Sequence, residues 1–353
     1  MDEQLIIIEE TQHEDDEAME KQREIWVDNV KVIACILVVL GHFFQSMTKS
    51  NVLPANDLYQ WFNQTIYYFH VPLFFICSGY LYQKLSVVND VHSWSRNVLK
   101  KIINLGIPYF VFSFATWLLK TVFSSSTNDE IGGLFDTLFL HPTSPYWYLY
   151  ALFFLFLITP TFRNKTMAVG GLIVALAFKV LGIFWSGYGV QVISYILANE
   201  IWFVIGMCLS MFEFKKYLRK KNLTIPVAIE MVFLFSSIGV YMIGIEQGVI
   251  SFLLGLLACC SVVTVIEKVY EDRSQSAVFG ILAKYTMPIF LMHTLFAAPL
   301  RTVLFKLGIQ NAVIHVVLGI AISFIGPMAA AIIMKKTKWL EFFLYPGKFL
   351  KVR

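Results

Sequence analysis

Residues 30 to 47 read VKVIACILVVLGHFFQSM, an apolar run of the length that crosses a bilayer as one helix. Two ionisable residues interrupt this run, Lys31 and His42, and they are eleven positions apart. At 100° and ~1.5 Å per helical residue, they share one helix face and are separated by about three turns, or ~16 Å. Ionisable groups at bilayer depth are costly, so this polar face is a candidate functional site. The alternative is that His42 is a buried histidine bonded to a neighbouring helix.

The rest of the chain repeats the apolar pattern. Hydrophobic residues make up 57% of the sequence, charged residues 15%, and the mean hydropathy is +0.65. This composition is typical of a membrane protein rather than of a soluble domain. Ten stretches have spanning length, at residues 30–48, 62–82, 102–122, 146–161, 167–185, 190–212, 225–245, 248–267, 279–300 and 310–334. The sequence therefore predicts an all-α polytopic membrane protein with about ten transmembrane helices.

The distribution of Lys and Arg predicts the orientation in the membrane. One side of the predicted topology holds only four of the 28 cations, namely Lys49, Lys120, Arg301 and Lys306. Lys179 falls inside a predicted helix, and all the others lie on the side that holds both ends of the chain. Since positive charge accumulates on cytoplasmic loops, we predict that both termini are cytoplasmic and that the protein is multi-pass in the cell membrane.

Composition also divides the chain into segments. Residues 1–24 contain ten acidic side chains and two basic ones, which predicts a disordered cytoplasmic tail. Residues 25–340 form the predicted transmembrane domain, and residues 341–353 form a basic cytoplasmic tail. No cleavable signal peptide is expected, because the first apolar segment is long enough to span. The five cysteines fall in predicted helices without a CxxC pair, so neither a disulfide framework nor a metal site is predicted.

A second candidate cluster lies in the second predicted helix, where residues 70–80 read HVPLFFICSGY. Pro72 removes one backbone hydrogen bond, and Ser78-Gly79 permits the close approach of another helix. One face of this helix is polar and aromatic, with Asn63, Tyr67, His70, Phe74 and Cys77. This face could turn toward the polar stripe of the first helix, although a kinked packing helix explains the pattern equally well.

Four segments together resemble the acyltransferase-3 family of integral membrane enzymes, which O-acylate sugars of surface polysaccharides and related glycans. Lys31 to His42 is similar to the family's basic residue, ten intervening residues and histidine in the first helix. Phe74 to Gly79 resembles its Phe-Phe-x-x-Ser-Gly element. The preceding His70 to Leu73 is similar to the form found in the fucose-4-O-acetylase-like branch.

The other two segments lie before the third predicted helix and near the C-terminus. The former resembles the family's basic cytoplasmic segment through Arg96, Lys100, Lys101 and Pro108. The latter, KYTMPIFLMH at residues 284–293, is similar to the late helix that ends in Tyr-Leu-x-His. The resemblance runs from about residue 25 to 340, with two departures. The family's Arg-x-x-Arg pair is replaced by Lys101-Ile102-Ile103-Asn104, and no hydrolase-like domain is expected after the helices.

The chemistry that the resemblance implies assigns roles to individual residues. Moving an acyl group from a thioester to a sugar hydroxyl needs a base for the hydroxyl and a donor for the oxyanion. We predict His42 as the catalytic base, because histidine ionises near neutral pH, and the resemblance implies the same role. His70 is predicted to orient the acceptor or stabilise the oxyanion, with a structural role as the alternative. The predicted substrate-binding residues are Lys31, Asp28, Ser78, Trp147 and His293.

The resemblance implies acetyl-CoA or another acyl-CoA as the donor substrate, entering from the cytoplasm. Its phosphates favour a basic mouth, and the candidate donor-binding cations are Arg96, Lys100, Lys101 and Arg163. Positive-inside bias alone would also place these cations there. An aromatic belt likewise competes with sugar stacking as the explanation of Trp147. For the intramembrane Lys179 and Glu200 we expect a structural role.

The sequence thus predicts a membrane O-acyltransferase, in particular an O-acetyltransferase. It would move an acyl group from cytoplasmic acyl-CoA to a hydroxyl of a surface polysaccharide or lipid-linked sugar in the cell envelope. The alternative is a secondary transporter or flippase for a glycolipid or small solute, against which the absence of an evident internal repeat argues. Expected partners are the glycan acceptor and membrane lipids, not nucleic acid, because no phosphate-loop or dinucleotide fingerprint is present. The oligomeric state is left open, a homo-oligomer included.

Overall fold

The computed structural model describes residues 24–54, 56–123, 132–185, 190–219, 221–245 and 248–350. These residues form α-helices with short connections and contain no β-strand. In chain order, helices α1 to α13 span Ile25–Lys49, Asp57–Tyr67, His70–Leu85, Val91–Val122, Trp147–Ile158, Lys165–Phe184, Gln191–Met211, Phe214–Leu218, Thr224–Ile243, Gly248–Val269, Ala277–Lys306, Ala312–Lys336 and Lys338–Leu344. The predicted all-α fold class is confirmed.

Eight helices in the described part of the chain are long and apolar enough to cross a membrane, namely α1, α4, α6, α7, α9, α10, α11 and α12. The two remaining predicted spans correspond to the shorter helices α3, with 16 residues, and α5, with 12 residues. The protein is therefore a multi-pass membrane protein. The count of ten spans stays a prediction, because two of the ten fall short of the usual spanning length.

One end of the helix assembly is held together by ion pairs around Glu24, and we call it the Glu24 face. The Glu24 carboxylate pairs with Lys84 and with Lys215, whose Nζ lies 2.5 Å from Oε2. Lys215 also lies 3.5 Å from Glu267, and Tyr80 donates its hydroxyl to Glu24 at 3.2 Å. Glu24 is the last residue of the predicted tail, and the rest of that tail lies outside the described residues.

The opposite end, where α1 and α11 finish, is called the Lys49 face. It contains Lys49 and Lys306 in the last turns of these two helices, and Arg301 one turn before the end of α11. Arg301 donates to the backbone carbonyl of Ser46 at 3.1 Å, which joins α11 to α1. The predicted topology assigns the Glu24 face to the cytoplasm and the Lys49 face to the outer side, and this orientation stays a prediction.

Helices α3 and α7 cross in direct backbone contact at the centre of the molecule. A Cβ added to Gly79 would overlap the carbonyl oxygen of Phe203, and one added to Gly206 would overlap that of Ile76. Small residues at such crossings let helix backbones approach closely, as Ser78-Gly79 predicts. This crossing holds α3 in place, and α3 carries His70 at its first position.

The predicted second span, residues 62–82, is wrong as a continuous helix. Helix α2 ends at Tyr67 and α3 begins at His70, because Phe69, with φ −139° and ψ −20°, leaves the helical conformation. Pro72 then lies in the first turn of α3, where a missing N–H costs no helical hydrogen bond. Pro72 therefore marks the start of a helix rather than a kink within one. The break between α2 and α3 brings the ring centroid of Tyr67 to 4.6 Å from that of His70.

Candidate active site

Two cavities meet at His42, on the half of α1 that leads to the Lys49 face. The first has a volume of about 450 Å³ and the second about 530 Å³. His42, Tyr67 and Ser144 line both of them. We call the first the basic cavity, since its wall contains Lys49, Lys120, Arg301 and Lys306. The second is the aromatic cavity, since its wall contains Tyr67, Tyr68, Trp147, Tyr148, Trp202, Phe252 and Phe290.

His42 contacts a hydroxyl that comes from a different part of the chain. Its Nε2 lies 3.2 Å from Oγ of Ser144, in the loop that precedes α5. This loop is held by Tyr146, whose hydroxyl donates to the carbonyl of Leu291 at 2.9 Å and lies 2.8 Å from Oγ1 of Thr116. Ser144 was not among the predicted site residues. Its position in the sequence could have indicated it, because Ser144 precedes Trp147 by three residues and is predicted to lie on the same side of the membrane as the C-terminal half of α1.

His293 lies directly behind His42. The two ring centroids are 5.4 Å apart with 31° between the planes. Nδ1 of His293 lies 3.0 Å from the carbonyl oxygens of both Ile289 and Phe290, and a carbonyl can only accept, so Nδ1 carries the proton of the neutral ring. Nε2 then presents a lone pair, buried and without a hydrogen-bond partner in the described part of the chain. His293 lines neither of these two cavities, and its predicted substrate-binding role stays a prediction.

His70 is also held in one tautomer. Its Nδ1 donates to the carbonyl of Ile66 at 2.6 Å, which leaves the lone pair on Nε2. The side chain is 3% exposed and lines the aromatic cavity beside Tyr67. A neutral ring in this state accepts a hydrogen bond through Nε2 but does not donate one there. Of the two roles predicted for His70, the geometry favours orientation of an acceptor hydroxyl over stabilisation of an oxyanion.

The aromatic cavity brings together two further predicted residues. Trp147 stacks on Tyr195 with ring centroids 5.2 Å apart and lines the cavity. Ser78 lies close by, with Oγ 3.1 Å from the hydroxyl of Tyr148, which belongs to the cavity wall. Trp147 is thus a wall residue of the site rather than only an interfacial aromatic, while Ser78 reaches the site through Tyr148.

Lys179 also lines the aromatic cavity, whereas Glu200 does not. Nζ of Lys179 donates to the carbonyl of Ala198 at 3.1 Å, and Glu200 accepts from Oγ1 of Thr159 at 2.7 Å. The two ionisable side chains therefore make separate hydrogen bonds. Glu200 fits the structural role expected for it, while Lys179 places a cationic group within the site.

The predicted donor-side residues lie apart from His42, toward the Glu24 face. Asp28 and Lys31 belong to the first two turns of α1, about four and three turns from His42 respectively. The Lys101 ammonium lies 3.7 Å above the ring of Phe156, and Arg163 bonds to the carbonyl of Asn89. The other two candidates are Arg96, whose Nη2 lies 3.3 Å from Nε2 of His92, and the exposed Lys100.

None of the cavities described here is lined by Arg96, Lys100, Lys101 or Arg163. These four cations therefore share none of the three cavities, and their donor-binding role stays a prediction. Where the family's second arginine would be, Asn104 lies in a π-helical turn within α4, Ile102–Gly106. Its side chain packs against Gly347, where a Cβ would overlap it. Asn104 thus supports the C-terminal segment.

The fold and the site together define an integral membrane protein whose polar, histidine-lined site is enclosed by its own helices. A family model described as an acyltransferase domain matches residues 24–332. The chain therefore belongs to the acyltransferase-3 family, and it is a multi-pass membrane protein. In the described residues, no group of three or more His, Cys, Asp or Glu side chains is arranged to hold a metal ion.

Curated relatives match parts of the chain. Nodulation protein NolL of Sinorhizobium fredii (strain NBRC 101917 / NGR234) is 32% identical over 140 residues, which cover 40% of this chain and 37% of the relative. Inner membrane protein YcfT of Escherichia coli (strain K12) is 26% identical over 186 residues, or 45% and 50% of the two chains. NolL of Mesorhizobium japonicum (strain LMG 29417 / CECT 9101 / MAFF 303099) is 28% identical over 142 residues, or 38% and 35%.

Each of these matches spans half or less of the relative's length. No solved structure matches the chain.

Proposed function

We propose that this membrane protein is an acyltransferase, and in particular an O-acetyltransferase that moves the acetyl group of acetyl-CoA to a hydroxyl of a surface polysaccharide or lipid-linked sugar. The observation that carries the proposal is the position of His42 at the junction of two cavities, between the hydroxyl of Ser144 and the ring of His293. A general base needs this kind of position, within hydrogen-bond reach of a hydroxyl and oriented by a third group.

His42 would act through Nε2. In the neutral tautomer with the proton on Nδ1, Nε2 of His42 carries the lone pair that accepts a proton. The acceptor hydroxyl loses its proton to Nε2 while its oxygen forms a bond to the acyl carbon. The carbon–sulfur bond of the thioester breaks, and the proton passes from His42 to the leaving thiolate to give free CoA. Acid–base catalysis of this type contributes ~10²–10⁴-fold in rate.

The acceptor sugar is proposed to occupy the aromatic cavity next to His42. Trp147, whose ring stacks on Tyr195, offers an apolar surface for a sugar face in this cavity, and Nε2 of His70 can accept a hydrogen bond from a hydroxyl. The donor is proposed to enter from the Glu24 face, as the topology predicts. Lys31, ~16 Å from His42, lies along that route, within the reach of an extended pantetheine arm.

The test compares alkali-releasable acetate on surface glycans of cells that express the wild type, His42→Ala, His141→Ala or no protein. His141 is exposed and pairs with Asp136 at 2.7 Å, so its loss is a matched control for a histidine substitution. We expect acetate with the wild type and with His141→Ala only, at equal protein levels. Purified protein with acetyl-CoA and an accepted glycan should release free thiol. A transporter would release none, and equal acetate in all four strains would contradict the proposal for that host's glycans.

A further inference from the structure

The four cations that the positive-inside pattern leaves on the opposite side of the membrane all line the basic cavity. They come from three helices, with Lys49 at the end of α1, Lys120 at the end of α4, and Arg301 and Lys306 at the end of α11. Positive-inside bias explains cations on the cytoplasmic side and accounts for none of these four. Their meeting in one cavity depends on the tertiary packing of α1, α4 and α11.

Arg301 forms a fixed part of the cavity wall. It is 7% exposed, and its Nη1 is held by the carbonyl and hydroxyl oxygens of Ser46. Lys49 and Lys306 flank it and also line an adjoining cavity of about 520 Å³ at the Lys49 face. Lys49, Lys120 and Arg301 take part in further interactions, so the relevant feature is the convergence of four cations on one concave surface.

The basic cavity leads from these cations to the proposed catalytic base. His42, Gln45 and Ser144 line its inner part, and Leu119 and Phe123 form an apolar wall. No carboxylate belongs to the described residues that line it. Lysines at the ends of membrane helices commonly reach toward lipid headgroups. Here they surround a cavity of the protein that ends at the site, which is the geometry of a substrate subsite.

We propose that the basic cavity binds an oxyanion of the acceptor, a phosphate or a carboxylate carried close to the hydroxyl that is acetylated. This proposal rests on the proposed function. Arginine and lysine together suit such a group, because the guanidinium can bind two oxygens at once and the ammonium groups add flexible point charges. The anion has two sources, the pyrophosphate that joins a glycan to its lipid carrier or an acidic sugar of the glycan itself.

The binding test uses the full chain in phosphatidylcholine nanodiscs with four probes. Farnesyl pyrophosphate represents the lipid-linked source, trigalacturonic acid the acidic sugar, maltotriose a neutral sugar and coenzyme A the donor. The double variant K49Q/K306Q removes two cations of the basic cavity. The control variant K335Q/K336Q removes two cations from the last turn of α12, which do not line this cavity. We expect one or both acidic acceptor probes to bind the wild type and the control variant with equal affinity. The same probe should bind K49Q/K306Q at least about tenfold more weakly, a loss of ~1.4 kcal/mol in binding free energy.

The probe that binds identifies the source of the anion, and high salt should weaken it. Equal affinity of K49Q/K306Q and K335Q/K336Q would overturn the proposal, as would failure of both acidic acceptor probes to bind the wild type. Coenzyme A binding that depends on Lys49 and Lys306 would also overturn it, because the cavity would then belong to the donor. Size-exclusion profiles identical to that of the wild type establish that both variants are folded.

Failure of this proposal is distinguishable from failure of the proposed function. His42→Ala should abolish thiol release, and the anion binding of this variant should still depend on Lys49 and Lys306. K49Q/K306Q should raise the acceptor KM at least about tenfold with a smaller effect on kcat. An active wild type with the same acceptor KM in both double variants would overturn the anion subsite alone. If anion binding depends on Lys49 and Lys306 but the wild type releases no thiol, the proposed acetyl transfer is contradicted and the proposed anion subsite is supported.

Discussion

The rings of His42 and His293 lie 5.4 Å apart, although one residue belongs to the first helix and the other to the eleventh. Two backbone carbonyls hold the proton of His293 on Nδ1, so its buried Nε2 can only accept. Nε2 of His293 makes no hydrogen bond within the described residues, and the contact with His42 is made by the two rings. We therefore predict that His293 orients His42 through this ring contact.

Substitution of His293 should consequently affect the rate more than substrate binding. We expect His293→Ala to lower kcat about tenfold or more with little change in the acceptor KM, because the base loses its orienting partner. His293→Gln retains an acceptor oxygen and should recover part of the loss. Steady-state kinetics and the pH profile of kcat for both variants check this. A change confined to KM would instead place His293 at the substrate.

Ser144 tests whether the acetyl group passes through the protein. If Ser144 only orients His42, Ser144→Ala should lower kcat by roughly tenfold, since one hydrogen bond is lost. Intact-mass measurement of the wild type incubated with acetyl-CoA alone should then show no acetylated Ser144. Complete loss of activity together with an acetyl adduct on Ser144 would contradict the orienting role and assign a covalent intermediate.

Trp147 should determine how well the acceptor binds. Its ring lines the aromatic cavity and stacks on Tyr195 at 5.2 Å. Trp147→Ala should raise the acceptor KM roughly tenfold, while Trp147→Phe, which keeps a flat ring, should have a smaller effect. Acceptor titrations at saturating acetyl-CoA measure this, and equal KM values for Ala, Phe and wild type would show that the ring does not contact the sugar.

The contact between α3 and α7 should be sensitive to a single methyl group. A Cβ on Gly206 would overlap the backbone carbonyl of Ile76, and a backbone cannot move aside cheaply. We expect Gly206→Ala to destabilise the protein by ~1–3 kcal/mol. Gly170→Ala in α6 is the matched control, since nothing lies within 4 Å of its added Cβ. Thermal unfolding in detergent compares the two, and equal melting temperatures would disprove the close crossing.

Glu24 should stabilise the Glu24 face in a pH-dependent manner. Burial raises the pKa of Glu24, but hydrogen bonds and charge from Lys215 and Lys84 outweigh it, so the net pKa is below its usual value. The stabilisation is then fully present above the usual carboxyl pKa and is lost as the pH falls through the lowered one. Glu24→Gln should reduce the melting temperature by roughly 1–3 °C at pH 7, and this difference should vanish in acid.

Glu213→Gln serves as the control for Glu24, because Glu213 is exposed and pairs only with the neighbouring Lys216 among the ion pairs described. Exposed pairs of this kind contribute little to stability, so no comparable loss is expected. A Glu24→Gln difference that persisted unchanged below the carboxyl range would show that Glu24 acts through packing rather than through its charge.

Hydropathy was sufficient to predict the class of this protein and most of its helices. In a bilayer every backbone polar group must bond within its own segment, so a long apolar run has little choice but a helix. The same reasoning predicted that Lys31 and His42 share a face, because α1 is regular. Hydropathy failed at residues 62–82, because the helix break lies at Tyr68 and Phe69, and apolar aromatic residues give no sequence signal for the end of a helix.

The sequence by itself therefore determined a helical membrane protein with a polar stripe on α1, and motifs of its family. Only the tertiary structure decided which groups meet that stripe. Ser144 and His293 reach His42 through a loop and a distant helix, and Lys49, Lys120, Arg301 and Lys306 converge through the packing of three helices. Hydrophobicity determines where a helix forms, but side-chain packing between helices determines its neighbours, and that depends on contacts between residues far apart in the chain.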